Sequence, residues 1–197
     1  MVLGICIMSL GLILFKLSLL GNGPSTSMVI AIADRIGIDF GLVMVVTNCL
    51  FFAAEWIWNK KLIGIGTFVN WFCIGPLASL YERGIRAVWE IPTAFPQRLI
   101  LMAAGILVLS LASAFYQTAD VGIAPYDALS LTISEKSGRQ YFICRIFTDG
   151  ICVLTAWLLG GIVGIGTLVC AFGLGPFVQF FSKHLARPLI YGSEMAN

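Results

Sequence analysis

Ile63-Gly64-Ile65-Gly66-Thr67 and Val163-Gly164-Ile165-Gly166-Thr167 are one phrase written twice. Gly75-Pro76 follows the first and Gly175-Pro176 the second at the same distance. Working backwards, with the register moved by one residue, Trp56 faces Trp157 and Thr47-Asn48 faces Thr148-Asp149. Gly37 then faces Gly138, Pro24 faces Pro125, Leu20-Gly21 faces Val121-Gly122, and Gly4-Ile5 faces Gly105-Ile106. Self-similarity at a long period marks a duplicated architecture. Residues 4–88 and 105–187 therefore read as two copies of one unit within a single membrane domain (1–197), joined by a polar, Pro-containing linker over 82–98.

Composition places both copies in a bilayer. Of 197 residues, 59% are apolar and 11% charged, and mean hydropathy is +0.95. A soluble domain carries about 25% charged residues, so this chain lacks the polar groups to cover a water-facing surface. One crossing takes ~20 residues, which leaves no room for a soluble catalytic domain. The first twenty residues lack a charged leader and cleavage site, and read as a retained span. Twelve basic and ten acidic residues, scattered, give a net charge of +2 and do not make a nucleic-acid surface. The six cysteines all fall in apolar stretches without a CxxC pair, as inert packing residues do. His184 has no ligand company, so neither metal nor other cofactor is expected.

Each copy holds three long apolar runs and one short one, Ser25–Ala33 in the first and Tyr126–Ser134 in the second. A helix from Ser25 to Ile36 spans only ~18 Å of a ~30 Å core. Gly21-Asn22-Gly23-Pro24 before it breaks the helix. Two arrangements follow. If the short helices return to the side they entered from, each unit crosses three times and the copies are inverted, 3+3. If they complete a crossing, each unit crosses four times and the copies are parallel, 4+4. The inverted arrangement puts Lys60, Lys61, Lys136, Arg139, Lys183 and Arg187 on one side, against Arg35, Arg83, Arg86 and Arg98. The parallel one leaves only Lys60 and Lys61 facing the other eight, which suits the positive-inside rule better. The expectation is thus an all-α bundle of 4+4 helices, with both termini cytoplasmic in a bacterial cytoplasmic membrane. The stretch from Tyr81 to Pro96 is expected to form a short interfacial helix.

The breaks at Gly21–Pro24 and Asp120–Pro125 carry the chemistry. Non-helical backbone at membrane depth survives only where protein or a wet cavity surrounds it. Each break ends at a helix start with free amides and the positive end of its dipole. Ser25, Thr26, Tyr126 and Asp127 stand there, as substrate-binding or as plain capping groups. Among ionisable residues inside spans, Arg145 and Asp149 are four apart and share a face. Asp149 should reach the depth of Asp127, and two carboxylates at one cavity accept a proton or attract a cationic or amine group. Asn48 is the mate of Asp149, and Trp71 supplies an aromatic wall. Lys16 and Glu55 are expected to pair or to snorkel to the interface. The IGIGT phrases lack the Lys and setting of a phosphate loop and read as tight starts of closely packed helices.

Val121-Gly-Ile-Ala-Pro-Tyr-Asp-Ala-Leu129, then Gly138, Val163-Gly-Ile-Gly-Thr167 and Gly175-Pro176, resembles the bacterial YczE/YyaS/YitT family of integral membrane proteins. The resemblance implies a membrane protein of the transporter type and singles out Asp127, but names no substrate. The functional expectation is a small-solute secondary transporter for an amine, amino acid or vitamin-like solute. The alternatives are the substrate-binding subunit of an energy-coupling-factor importer and a non-transporting scaffold. A homodimer is one expectation for so small a bundle. No catalytic constellation supports an enzyme.

Overall fold

The computed structural model describes residues 2–90, 92–119 and 121–191. Those residues are helical and contain no strand. The helices are α1 (Val2–Leu17), α2 (Pro24–Ile36), α3 (Phe40–Trp58), α4 (Ile65–Val88), α5 (Phe95–Thr118), α6 (Pro125–Ser137), α7 (Tyr141–Leu158), α8 (Ile165–Phe181) and α9 (Arg187–Tyr191). A π turn, Ser182–Ala186, runs α8 into α9. Of these, α3, α5, α7 and the run Ile165–Tyr191 are long and apolar enough to cross a membrane. Large apolar side chains such as Leu50, Phe72, Ile100 and Ile162 point outward, the surface of a multi-pass membrane protein with lipid as its solvent.

Local chemistry sets the ends of the two short helices. Pro24 opens α2 and Pro125 opens α6, where the missing amide proton has no partner to lose. Gly37 and Gly138 close them in the left-handed conformation, at φ 69° and 66°, which a Cβ disfavours.

The bundle is organised by α1 against α5, its most extensive packing. A Cβ on Gly11 would lie 2.7 Å from the Leu109 amide nitrogen, and one on Gly105 would lie 2.5 Å from that of Phe15. Gly4 faces Tyr116. Low numbers on α1 meet high numbers on α5, so the two helices are antiparallel. Helix α4 runs parallel to α1, for Asn70 meets Met8 and Lys16 meets Glu82 at 2.8 Å. Thr118 meets Ser182 at 3.2 Å, which brings the ends of α5 and α8 to one side. Asn59, just past α3, donates to Glu135 near the end of α6 at 2.7 Å. Helix α7 begins directly after α6 and so starts on the side where α3 finishes.

These directions correct the expected 4+4 arrangement, in which α1 and α5, like α3 and α7, must run the same way. They run opposite ways, as the inverted 3+3 alternative requires, with α2 and α6 as its short helices. The charge count misled in part for a physical reason. Arg35 and Lys136 occupy the last turns of the short helices, where a cation is favoured by the helix dipole whatever the side of the membrane. With both set aside, the contrast narrows to six against two for the parallel arrangement and five against three for the inverted one. Among the described residues no separate interfacial helix follows Tyr81, since α4 continues unbroken to Val88 with Pro76 inside it.

Candidate functional site

The site begins with the breaks. Gly66 donates its amide to the Val121 carbonyl at 2.7 Å, and Ile123 donates to the Leu62 carbonyl at 2.9 Å. Gly166 donates to the Leu20 carbonyl at 2.9 Å. Each IGIGT phrase thus lies on the break of the other half and satisfies its backbone, which is how non-helical chain persists at this depth. Contact is backbone to backbone: a Cβ on Gly122 would stand 2.6 Å from the Gly64 nitrogen, and Gly122 itself has φ +114°. Thr67 and Thr167 close the seams, fully buried. Thr167 Oγ1 accepts from the Asn22 amide at 3.2 Å and lies 3.4 Å from Ser27 Oγ. Asp120, named above with the second break, lies outside the described residues.

From the second break α6 enters the bundle, with Asp127 in its first turn. Arg145 on α7 donates through Nη1 to Asp127 Oδ1 and through Nε to Asp149 Oδ2 at 3.3 Å. The guanidinium also lies 4.9 Å over the Tyr126 ring, and the Tyr126 hydroxyl donates to Asp149 Oδ1. Tyr141 Oη accepts from Gln117 at 3.2 Å and from Arg145 at 3.5 Å. One turn along, Ser130 and Thr148 share a hydroxyl contact of 2.8 Å. Asp127 and Arg145 are each 6% exposed and Asp149 0%, so the network is sealed from solvent. Gly175 makes room for it, since a Cβ there would meet Arg145 Cβ and the Phe142 carbonyl at 3.2 Å. Gly175 precedes Ser182 by seven residues, which sets Arg145 ~10 Å inward from the end of α5.

Asp127, Asp149, Tyr126 and Arg145 therefore come together. Ser25, Thr26, Asn48 and Trp71 do not. The position of α2 that faces inward at its break is Ser27, because at ~100° per residue Thr26 and Ser25 are rotated ~100° and ~200° away from it. Asn48 sits half-buried on α3, outside the network. Trp71 belongs to an outer aromatic cluster, 6.0 Å from Phe52. Sequence reasoning missed Tyr141, Ser130 and Thr148. A signal existed for the last two, which stand four residues after Tyr126 and three after Arg145 on the facing sides of α6 and α7. The expected pairing of Lys16 with Glu55 is corrected: Lys16 bonds Glu82 at 2.8 Å, while Glu55 is 1% exposed.

Chemically the network is a latch between α6 and α7. One guanidinium holds two carboxylates, so it carries an excess acid group. It is closed, and neither the groove lined by Val153, Trp157 and Phe172 nor the one lined by Phe142, Gln179 and His184 includes its ionic residues.

Comparison with known proteins places the chain beside others of unassigned activity. A profile described as a family of unknown function, DUF6198, matches residues 1–183. An uncharacterised protein of Haemophilus influenzae is 31% identical over 92% of this chain and 81% of its own length. The uncharacterised Bacillus subtilis protein YyaS is 25% identical, covering 92% of each chain. The uncharacterised Bacillus subtilis membrane protein YczE is 22% identical over 82% of this chain and 73% of its own. No solved structure matches.

Proposed function

The chain belongs to the family of unknown function DUF6198, and from that premise we propose that it is a secondary transporter of a small cationic or amine-bearing solute in a bacterial cytoplasmic membrane. The observation that supports this most is the buried excess of carboxylate over guanidinium at the start of a half-helix. An ammonium group entering between α6 and α7 competes with Arg145 for Asp127 and completes the charge balance. Asp149 stays with Arg145 because both ride on α7, whereas Asp127 rides on α6. Exchange of partners at Asp127 is therefore also a change in how the two helices are held. Half-helix starts facing a central site are a recurring device of secondary transporters.

The reading includes a duplication. The two breaks sit on reciprocal IGIGT seams, and α1 and α5 cross antiparallel, as inverted copies related by an axis in the membrane plane would. It also sets Lys60, Lys61, Lys136, Arg139, Lys183 and Arg187 on the cytoplasmic side with both termini. A scaffold role is favoured by a different observation, the closure of the polar network. A thermal-shift screen of detergent-purified protein against amines, amino acids and vitamins at two pH values separates the two. A ligand at a hundredfold its Kd stabilises the native state by about 2.7 kcal/mol. A hit lost in Asp127→Asn supports transport through this site. Silence across the library moves the weight to the scaffold.

A further inference from the structure

Outside the latch the chain buries a second acid. Glu55 is 1% exposed, and neither of its carboxyl oxygens has a hydrogen-bond partner among the described residues. Two hydroxyls are buried and unpartnered in the same way, Tyr116 on α5 at 1% exposure and Thr132 on α6 at 2%. Helical spacing brings Glu55 and Thr132 to one interface. Phe51 on α3 packs against Tyr126, ring centroids 5.5 Å apart, and Asn59 bonds Glu135; Glu55 lies one turn from Phe51 and from Asn59, on the same stripe, opposite the α6 turn midway between Tyr126 and Glu135. Thr132 is in that turn. Tyr116 packs with Ala128 of α6 in the adjoining core.

An ionised carboxylate without a partner is too costly to keep at such a place. Proton or cation must accompany it. The titratable groups on the elements around it are Asp127 of α6, held by Arg145, Glu135 of α6, held by Asn59, and Tyr116 of α5 in the adjoining core, with Lys60 beyond the end of α3. Lys60 is turned away, 5.1 Å over the Trp56 ring. One acid with two neutral hydroxyls offers too few charged oxygens for a divalent ion, but suffices for a proton. At the matching interface of the other half, α2 on α7, the mates of Thr132 and Glu55 are Ala31 and Ala156, both buried. That side is sealed by small residues: a Cβ on Gly161 would lie 2.6 Å from Ala31 Cβ.

We propose that Glu55 at the α3–α6 interface, opposite Thr132 and with Tyr116 in the adjoining core, is a proton-carrying site distinct from the Arg145 latch. It holds its proton while α3 and α6 are packed together and exchanges it with water when α6 moves. Both sites share α6, so occupancy of one biases the other. The coupling role rests on the transport reading; the protonation does not.

The test is infrared spectroscopy of the purified chain in lipid nanodiscs, following the carbonyl stretch of buried neutral carboxylic acid from acid to alkaline pH. The expected result is a band in the wild type that vanishes in Glu55→Gln, persists in Asp127→Asn and shifts frequency in Tyr116→Phe. Circular dichroism of Glu55→Gln with unchanged helix content shows that loss of the band is not loss of fold. In Tyr116→Phe the carboxyl itself remains, which keeps a readout even where Glu55→Gln misfolds. A band absent at every pH, or unchanged in Glu55→Gln, overturns the proposal. A band erased by sodium chloride at constant pH also overturns it, in favour of a metal cation. A silent solute screen would remove the transport reading and leave this result standing.

Discussion

Arg145 is the residue on which most depends, because it pairs with two buried carboxylates at once. Removing one partner of a buried ionic pair is strongly destabilising, since the charge left behind loses its compensation. Arg145→Ala is expected to lower stability by about 3–5 kcal/mol, read as a fall in thermal midpoint in detergent. Asp127→Asn removes the excess charge and leaves Arg145 paired with Asp149, so its loss should be much smaller. Arg145→Lys should resemble the alanine variant more than the wild type, because an ammonium lacks the planar fork that reaches two acids and stacks on Tyr126. Equal midpoints for Arg145→Ala and Asp127→Asn would deny the latch this balance of charge. The ionic part of the network was legible in sequence, as Arg145 and Asp149 stand four apart and Asp127 follows a break. Glu55 was not, because apolar neighbours at 51–58 describe equally a carboxyl that snorkels outward and one turned into the interface.

At the scale of elements, the half-helices are held by the glycine seams. The sequence made these visible as tight helix starts, but not as contacts between halves, since nothing local says which backbone a glycine must approach. Gly66 and Gly166 carry the same type of hydrogen bond to breaks in the opposite half. Gly122→Ala places a Cβ against the Gly64 backbone and needs φ +114° from a residue that resists it. Its cost should be at least ~1–3 kcal/mol, with faster proteolysis at the break. Gly150, inside α7, has nothing within 4 Å of a built Cβ, and Gly150→Ala should be neutral or stabilising by up to ~1 kcal/mol through helix propensity. Similar losses for both substitutions would mean that glycine matters here only for backbone entropy. The seam also explains why the early part of α6 can carry function: its start is fixed by Leu62, Gly64 and Gly66 from the other half, while its C-terminal end is tied to α3 only through side chains such as Asn59 on Glu135.

For the whole molecule the question is which loops share a side. Membrane class and helix content follow from composition, because a chain this poor in charge has no other way to cover itself. Direction does not, since the two arrangements use the same helices and differ only in where α2 and α6 end. Packing decides it: Gly11 on Leu109 and Gly105 on Phe15 are reachable only if α1 and α5 are antiparallel. The consequence can be read in cells. In a background with the six native cysteines replaced, single cysteines at Lys60 and Arg139 should react alike with a membrane-impermeant maleimide, and those at Gly37 and Gly160 alike with the opposite accessibility. A parallel 4+4 bundle places Lys60 and Arg139 on opposite faces, so unlike labelling of that pair would reject the inverted arrangement. It would also remove the geometric basis for a central site reached alternately from two sides, because only inverted halves give the two faces equivalent half-helices to open.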